Sequence, residues 1–277
     1  MRYIDTHTHV NISAFDADRE VTLARAKSAG VAMINIGTKL STSVKALEIA
    51  REYDHTYAVV GLHPVQTVAG RHDEDEIGAG GKPFVSKGEA FDMDAFRTLA
   101  LDPRTVAIGE CGLDYFHTTA ESEVAQREAF VAQIHLASEL KKPLMLHIRN
   151  GKDTSKNAYK DAADILKSEA KVRGNAHFFA GSVDDARLYL DMGYSVSFTG
   201  VVTFTRDYDD VVRFVPADMI HAETDAPYVS PKPYRGQRNE PLYVIEVAQK
   251  LAEIRGVDGE QFREQLLENA KKLYGIE

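Results

Sequence analysis

Two histidines separated by a single residue close the run Asp5-Thr6-His7-Thr8-His9. In an extended strand the two-residue alternation sends Asp5, His7 and His9 to one face, so both imidazoles can reach one cation. A lone His-x-His more often has a structural role; this pair ends the first strand and has company. Glu110 follows Ala107-Ile108-Gly109, His147 follows Leu144-Met145-Leu146, His177 follows Asn175-Ala176, and Asp225 stands two residues after Glu223. Any one of these alone can be a hydrogen-bonded interior group. Together they would bury several carboxylates and imidazoles at high cost, unless divalent cations neutralise the acids and take the rings as ligands. Every donor is N or O and none is a thiolate, which suits Zn, Mn, Co or Mg. Cys111 lies beside Glu110 on the opposite strand face and reads as packing.

These residues need elements to bring them together. Short apolar runs recur about every 25 to 35 residues, each followed by helical periodicity, the pattern of repeated strand-helix units. They lie near Tyr3 to Thr6, Ala32 to Ile36, Tyr57 to Gly61, Val106 to Gly109, Leu144 to His147, Asn175 to Phe178, Ser195 to Thr199 and Met219 to Glu223. Most are apolar on both faces, as parallel strands between helices and a barrel interior must be. Helices are expected over Asp16 to Ala29, Glu121 to Leu140, Pro241 to Arg255 and Gly259 to Tyr274, with Asn239-Glu240-Pro241 as a capped start. The expectation is an α/β fold, a (β/α)8 TIM barrel forming one domain over residues 1–277, with the ionisable residues at the strand C-terminal ends where barrel enzymes carry their chemistry. One connection is long. Val65 to Phe91 holds His72-Asp73-Glu74-Asp75-Glu76 and then Gly78, Gly80 and Gly81, and reads as a solvated excursion or as a lid over the site.

Composition narrows the function. A formal charge of −9 argues against a broad basic face coating nucleic acid, although bound cations would reverse the local field and leave a phosphodiester substrate open. One cysteine cannot form an internal disulfide, no signal-peptide organisation precedes the first strand, and no apolar run approaches the ~20 residues that span a bilayer. A cytoplasmic protein with no membrane contact and no obligate protein partner is expected.

The ordered motifs resemble the TatD-like metal-dependent deoxyribonucleases of the amidohydrolase superfamily across nearly the whole chain. The carriers are Asp5-Thr6-His7-Thr8-His9, Gly61-Leu62-His63-Pro64, Ile108-Gly109-Glu110-Cys111-Gly112-Leu113-Asp114-Tyr115, Pro143-Leu144-Met145-Leu146-His147-Ile148-Arg149, His177-Phe178-Phe179-Ala180-Gly181 and Glu223-Thr224-Asp225-Ala226-Pro227-Tyr228. The resemblance implies two divalent metal ions: His7, His9, Glu110 and Asp225 on one, Glu110, His147 and His177 on the other, with Glu110 bridging. Phosphotriesterase-like relatives bridge with a modified lysine on strand four, and no lysine stands there. The family usually has His-Cys-Phe where this chain has His177-Phe178-Phe179, which implies altered packing with metal binding retained.

The implied reaction is hydrolysis of phosphodiesters at single-stranded or frayed DNA ends by a metal-activated water. Asp225 is the expected general base, Glu110 the shared carboxylate and Glu223 the group that orients or buffers Asp225; Asp5 is expected to hold a ligand ring in its tautomer. His63 and Arg149 are expected to meet phosphate oxygens, and Asp114, Tyr115 and Arg238 to border the substrate, with surface or capping roles equally open. His55, His72, His117, His135 and His221 read as structural or solvated. The alternatives are an ester or amide hydrolase such as a D-aminoacyl-tRNA deacylase, and a barrel kept only as a binding scaffold.

Overall fold

The computed structural model describes residues 1–72, 84–116, 119–153 and 155–277. Ten strands are described: β1 (Tyr3–Thr8), β2 (Val31–Ile36), β3 (Thr56–Val60), β4 (Ala69–His72), β5 (Phe84–Lys87), β6 (Thr105–Asp114), β7 (Leu144–Arg149), β8 (Gly174–Ala176), β9 (Ser195–Phe198) and β10 (Ile220–Ala222). Eight of them form one parallel sheet in the order β1-β2-β3-β6-β7-β8-β9-β10. Sequential parallel neighbours require crossovers, and helices supply them: α1 (Arg19–Ser28), α2 (Leu40–Glu52), α3 (Met93–Ala100), α4 (Ala120–Leu140), α5 (Ala158–Glu169), α6 (Val183–Leu190) and α7 (Asp209–Phe214), with α8 (Val244–Arg255) and α9 (Gly259–Tyr274) following the last strand. This is the expected (β/α)8 barrel.

The sheet closes between its last and first strands with few ladder bonds. Thr8 bridges Ala226 in parallel, His9 N donates to the Ala226 carbonyl at 2.8 Å and Asp225 N to the His7 carbonyl at 2.9 Å. Asp5 does much of the rest: its buried carboxylate accepts from the Thr224 amide at 2.8 Å and the Thr224 hydroxyl at 2.5 Å.

Side chains sort by strand face. Ile4, Ala32, Ile34, Ile36, Val59, Ala107 and Met145 form one apolar cluster with Leu267, Ala270 and Tyr274 of α9. The residues of the opposite faces, among them Val31, Met33, Ile108, Leu144 and Leu146, pack with Phe15, Leu23, Phe130 and Ile134 of the surrounding layer. All ten residues of β6 are buried, as expected for a strand covered on both sides.

Two differences from the expected elements bear on the site. The alternation of β1 is interrupted between Asp5 and Thr8: Asp5 pairs with Met33 and Thr8 with Asn35, three residues against two. Asp5 and Thr8 therefore share a face, and Asp5 is turned away from His7 and His9. The second is that Pro241–Tyr243 is a 3-10 turn before α8. Asn239 is no helix cap; its amide donates to the carbonyls of Thr224 at 2.8 Å and Tyr228 at 2.6 Å.

After β3 the chain forms an antiparallel hairpin, β4 with β5, anchored where Glu89 N donates to Gln66 O at 2.8 Å. The acidic and glycine-rich tip of this connection, the side chain of His72 and His117 lie outside the described residues.

Candidate metal centre

Glu110 is the hub, and its two oxygens face different neighbours. Oε2 lies 3.4 Å from His7 Nε2 and 3.9 Å from His9 Nε2. Oε1 lies 2.7 Å from His177 Nε2, 2.9 Å from His147 Nδ1 and 3.4 Å from His63 Nε2. Asp225 Oδ1 completes the first group, 3.3 Å from His9 Nε2 and 3.7 Å from His7 Nε2. Asp225 has φ +54, a left-handed conformation that aspartate tolerates better than most residues.

Three surrounding devices hold these side chains. Gly112 leaves room for β7: it has φ +144, and a Cβ there would sit 2.1 Å from the His147 carbonyl. Gln126 and Gln133, two turns apart on the inner face of α4, clamp two strand exits. Gln133 accepts from Leu62 N at 2.8 Å and donates to Leu62 O at 2.9 Å, setting the backbone before His63. Gln126 does the same at Asp114, with 2.8 and 3.0 Å. Neither glutamine was anticipated; two polar residues on the buried face of an otherwise apolar helix are the signal that could have found them.

Ring tautomers separate ligands from donors. His9 Nδ1 is 3.1 Å from the Ile36 carbonyl, which only accepts, so Nδ1 carries the hydrogen and Nε2 offers a lone pair. His147 Nε2 is 2.8 Å from Asp114 Oδ2, which leaves Nδ1 for a cation. His177 Nδ1 faces Glu223 Oε1 at 3.5 Å without a hydrogen bond and its Nε2 lies 2.7 Å from Glu110 Oε1, so this ring has a carboxylate on either side and can free Nε2 by carrying its hydrogen on Nδ1. His63 runs the other way: its Nδ1 accepts from Val65 N at 3.2 Å, so the neutral ring has its hydrogen on Nε2 and is a donor.

Does this donor set fit divalent cations? His7 Nε2 and His9 Nε2 face each other at 3.2 Å, and two lone pairs at that distance need a proton or a cation between them. Leaving aside the pair of carboxylates, the separations among His7, His9, Glu110 and Asp225 run from 3.2 to 3.9 Å, around the ~3.3 Å edge of a tetrahedron with donors ~2.0–2.1 Å from zinc. His7, His9 and Glu110 each bring a ligand atom within 4.8 Å of the others, as do two further groups, His63/Glu110/His147 and His7/His177/Glu223. The tautomer of His63 argues against its ligation, and both Glu223 oxygens are already engaged, by Phe178 N and Ser197 Oγ at 2.6 Å each.

Electrostatics follow. Burial, together with the neighbouring His177, holds the His7 pKa down at about 3. For His9, His147 and His177 burial works in the same sense, but the carboxylates outweigh it and the three pKa values are raised: Asp225 and Glu110 act on His9, Asp114 and Glu110 on His147, Glu110 and Glu223 on His177. Burial lowers the pKa of His63, in keeping with a neutral donor. Cations bound here would displace the protons that the carboxylates hold on these rings. The side chains of His147, His63 and Asp225 keep 17%, 12% and 11% of their surface open while that of His7 keeps none, so the cluster is approached from their side.

Several expected roles change. Asp5 holds Thr224 and takes an amide bond from His7 N at 3.3 Å, and it orients no ring. Glu223 faces His177 instead of Asp225. Asp114 is the partner of His147. Tyr115 does not border the site: its ring is buried, and its hydroxyl donates to Asp161 at 2.8 Å and accepts from Arg127 at 2.7 Å among the outer helices. Arg238 is committed to both oxygens of Asp18 at 2.7–2.8 Å and lies over the Phe15 ring, which ties the loop after β10 to the loop after β1. Arg149 stacks on Phe116, 3.9 Å from the ring centre. Phe178 has φ +43 and gives its amide to Glu223. Cys111 packs in the core as expected, and burial raises its thiol pKa. His55 bonds the Leu23 carbonyl, and His135 pairs with Glu169 on the surface.

The sequence profile of the TatD related DNase family matches residues 4–275. The chain belongs to this family. It is 36% identical over 277 residues to the uncharacterized metal-dependent hydrolase YabD of Bacillus subtilis (strain 168), with 98% of each chain covered. It is 33% identical over 273 residues to the 3'-5' ssDNA/RNA exonuclease TatD of Rahnella sp. (strain Y9602), with 95% of each covered. Among solved structures, the TatD homologue YJJV of Escherichia coli K12 superposes with a TM-score of 0.81 at 27% identity, over 100% of this chain and 99% of that one. This TatD-family protein is a metal-dependent hydrolase, and no helix among its described residues is long and apolar enough to cross a membrane.

Proposed function

We propose that residues 1–277 act as one catalytic unit, a two-metal exonuclease that removes nucleotides from single-stranded or frayed nucleic-acid ends. The observation that carries this reading is the division of labour at Glu110, whose Oε2 faces His7 and His9 and whose Oε1 faces His147 and His177. His7, His9, Asp225 and Glu110 would hold one divalent ion, and Glu110, His147 and His177 the other. Bound divalent ions supply charge stabilisation at phosphate and lower the pKa of water toward neutrality.

The chain's own groups do the rest. Asp225, the most open of the carboxylates around the hub, takes the proton of the attacking water as its oxygen joins phosphorus and the P–O bond to the neighbouring sugar breaks, the departing sugar oxygen taking a proton from solvent. His63 points its Nε2–H at a phosphate oxygen. Two aromatic rings, each with one or two cationic side chains against it, support a single-stranded substrate: Phe116 with Arg149 at 3.9 Å and Lys152 at 5.2 Å, and Phe204 with Arg235 at 4.0 Å. They follow β6 and β7 on one side and β9 and β10 on the other, at the strand ends that carry the hub. Such pairs stack bases and neutralise phosphates without a basic wrapping surface, which agrees with a net charge of −9. The relative named a 3'-5' ssDNA/RNA exonuclease supports the same substrate class.

The test is a 5'-labelled single-stranded oligonucleotide incubated with the protein and Mg²⁺ or Mn²⁺, beside an ester-linked aminoacyl-RNA, with Asp225→Asn in both arms. A ladder of shortened products that Asp225→Asn abolishes is expected; release of the amino acid with an intact oligonucleotide would overturn the nuclease reading.

A further inference from the structure

The barrel interior is not uniform. Around β1, β2, β3, β6 and β7 it is lined by Ile4, Ala32, Ile34, Ile36, Val59, Ala107 and Met145. Around β8, β9 and β10 the same face carries Asn175, Ser195, Ser197, His221 and Glu223. The register makes this one face: Met145 pairs with Asn175, Asn175 with Ser195, and Ser197 with His221. Asn175, Ser197 and Glu223 are fully buried and His221 nearly so. Polar groups in a barrel core are costly unless each finds a partner.

Here they partner in series. Ser197 Oγ donates to Glu223 Oε2 at 2.6 Å and accepts from Asn175 Nδ2 at 2.7 Å. Ser195 Oγ donates to Asn175 Oδ1 at 3.0 Å and lies 2.9 Å from His221 Nε2. The direction is fixed from its carboxylate end. Ser197 spends its only hydrogen on Glu223, so Asn175 must present its amide, its carbonyl then takes the Ser195 hydrogen, and His221 donates from Nε2. Burial holds the His221 pKa down at about 3, so this ring is neutral. His221 Nδ1 is left as a bare lone pair, and it has no hydrogen-bond partner among the described residues.

We propose that this chain, His221 to Ser195 to Asn175 to Ser197 to Glu223, makes Asn175 and Ser197 positioning residues for the metal centre: it fixes Glu223, and through it the tautomer and tilt of the His177 ring. The proposal rests on His177 being a metal ligand. With Oε2 held by Ser197 and Oε1 by Phe178 N, the Glu223 carboxylate cannot rotate, and Oε1 stays opposite His177 Nδ1. Nε2 faces Glu110 Oε1 at 2.7 Å and His147 Nδ1 at 3.4 Å, and once a cation took the Nε2 lone pair, the ring hydrogen left on Nδ1 would meet that fixed Glu223 oxygen. Orienting partners of ligand imidazoles of this kind are worth about 10- to 100-fold in metal affinity.

The experiment uses the full chain with Ser197→Ala, Ser197→Thr, Asn175→Leu and Ser195→Ala. One readout is Zn²⁺ affinity by competition with a chromogenic chelator. The second, on the Zn²⁺-loaded protein, is the pair of ¹⁵N ring shifts of His177, which report without any substrate or turnover which nitrogen the cation takes and which keeps the hydrogen. Ser197→Ala is expected to weaken Zn²⁺ binding about 10-fold or more and to mix the His177 tautomers. Ser197→Thr is expected to restore both, Asn175→Leu to give a smaller loss and Ser195→Ala the least. If Ser197→Ala and Asn175→Leu bind Zn²⁺ within about twofold of the parent and leave His177 protonated on Nδ1, the proposal is overturned; should Ser197→Ala not fold, Asn175→Leu decides alone. A parent protein that binds Zn²⁺ yet cuts no nucleic acid would sink the nuclease reading and leave this one standing. A parent that binds no Zn²⁺ would sink the metal centre, and with it this proposal.

Discussion

Replacing Asp114 by asparagine sets a buried donor against a buried donor without changing shape. Asp114 accepts twice, from His147 Nε2 at 2.8 Å and from Phe116 N at 2.9 Å, and its carboxyl pKa is held at about 2, below the ordinary value, because His147 and Phe116 N outweigh its burial. An asparagine amide can satisfy one of these donors and must present its NH₂ to the other. In the metal-free protein His147 escapes by moving its hydrogen to Nδ1, where Glu110 Oε1 at 2.9 Å accepts it. A cation needs that Nδ1 lone pair, so binding forces the hydrogen back to Nε2 against the amide. One unsatisfied buried polar group costs about 1–3 kcal/mol, and at about 1.4 kcal/mol per decade that is roughly a 5- to 150-fold loss of metal affinity. Chelator competition measures the affinity, and thermal melts with and without Zn²⁺ measure the linkage. The expected signature is a metal-free melting temperature near that of the parent and a much smaller rise on adding Zn²⁺. Parent-like Zn²⁺ affinity in Asp114→Asn would refute the tautomer reasoning.

Gly112→Ala should lose about 3 kcal/mol or more, read by urea unfolding, since its Cβ would lie 2.1 Å from the His147 carbonyl at φ +144; a parent-like midpoint would contradict the packing of β6 on β7. His63→Ala should lower kcat/KM while leaving Zn²⁺ affinity unchanged, and loss of a bound ion would make His63 a ligand after all. Arg238→Ala should cost at most about 1 kcal/mol once solvent screening of the partly exposed pair is allowed for, with parent-like kcat/KM. Its pH dependence has a definite sign. Arg238 holds the Asp18 carboxyl below its ordinary value, so the contribution is present above the unfolded pKa of ~3.9 and lost as pH falls through the folded one. Stability gaps measured from pH 7 downward should therefore close below about pH 4, and a gap that widens on acidification would overturn the assignment.

The strand ends that carry His7, His9, Glu110, His147, His177 and Asp225 were readable because polar residues interrupt apolar runs there, and the structure brings these six together around Glu110. The face of Asp5 was not readable: strict alternation assigns it to the histidines, and the irregular register of β1 turns it toward Thr224. Arg238 and Tyr115 sit close in sequence to the site, but the pull of Asp18 and Asp161 from elsewhere in the fold takes them away from it. Asp114 had a usable signal. The expected strand stopped at Gly109, whereas β6 runs on to Asp114, which repeats the two-residue spacing from Glu110 through Gly112 to the partner of His147. The glutamines of α4 were findable as polar residues on its buried face, whereas the serines of β9 owe their burial to neighbours distant in the chain, which local pattern does not record.

The seam between β10 and β1 has a consequence for synthesis. His7 and His9 lie at the end of the first strand of the sheet, yet the partners that seat this strand, Thr224 and Asp225, follow more than 200 residues later, the Asp5 and Thr224 bond alone spanning 219 positions. Contacts of such long range form late in folding. A product that ends before Thr224 therefore keeps Glu110, His147 and His177 but lacks both Asp225 and the seat of the first strand, so the group of donors around His7 and His9 is completed only once translation has passed the last strand.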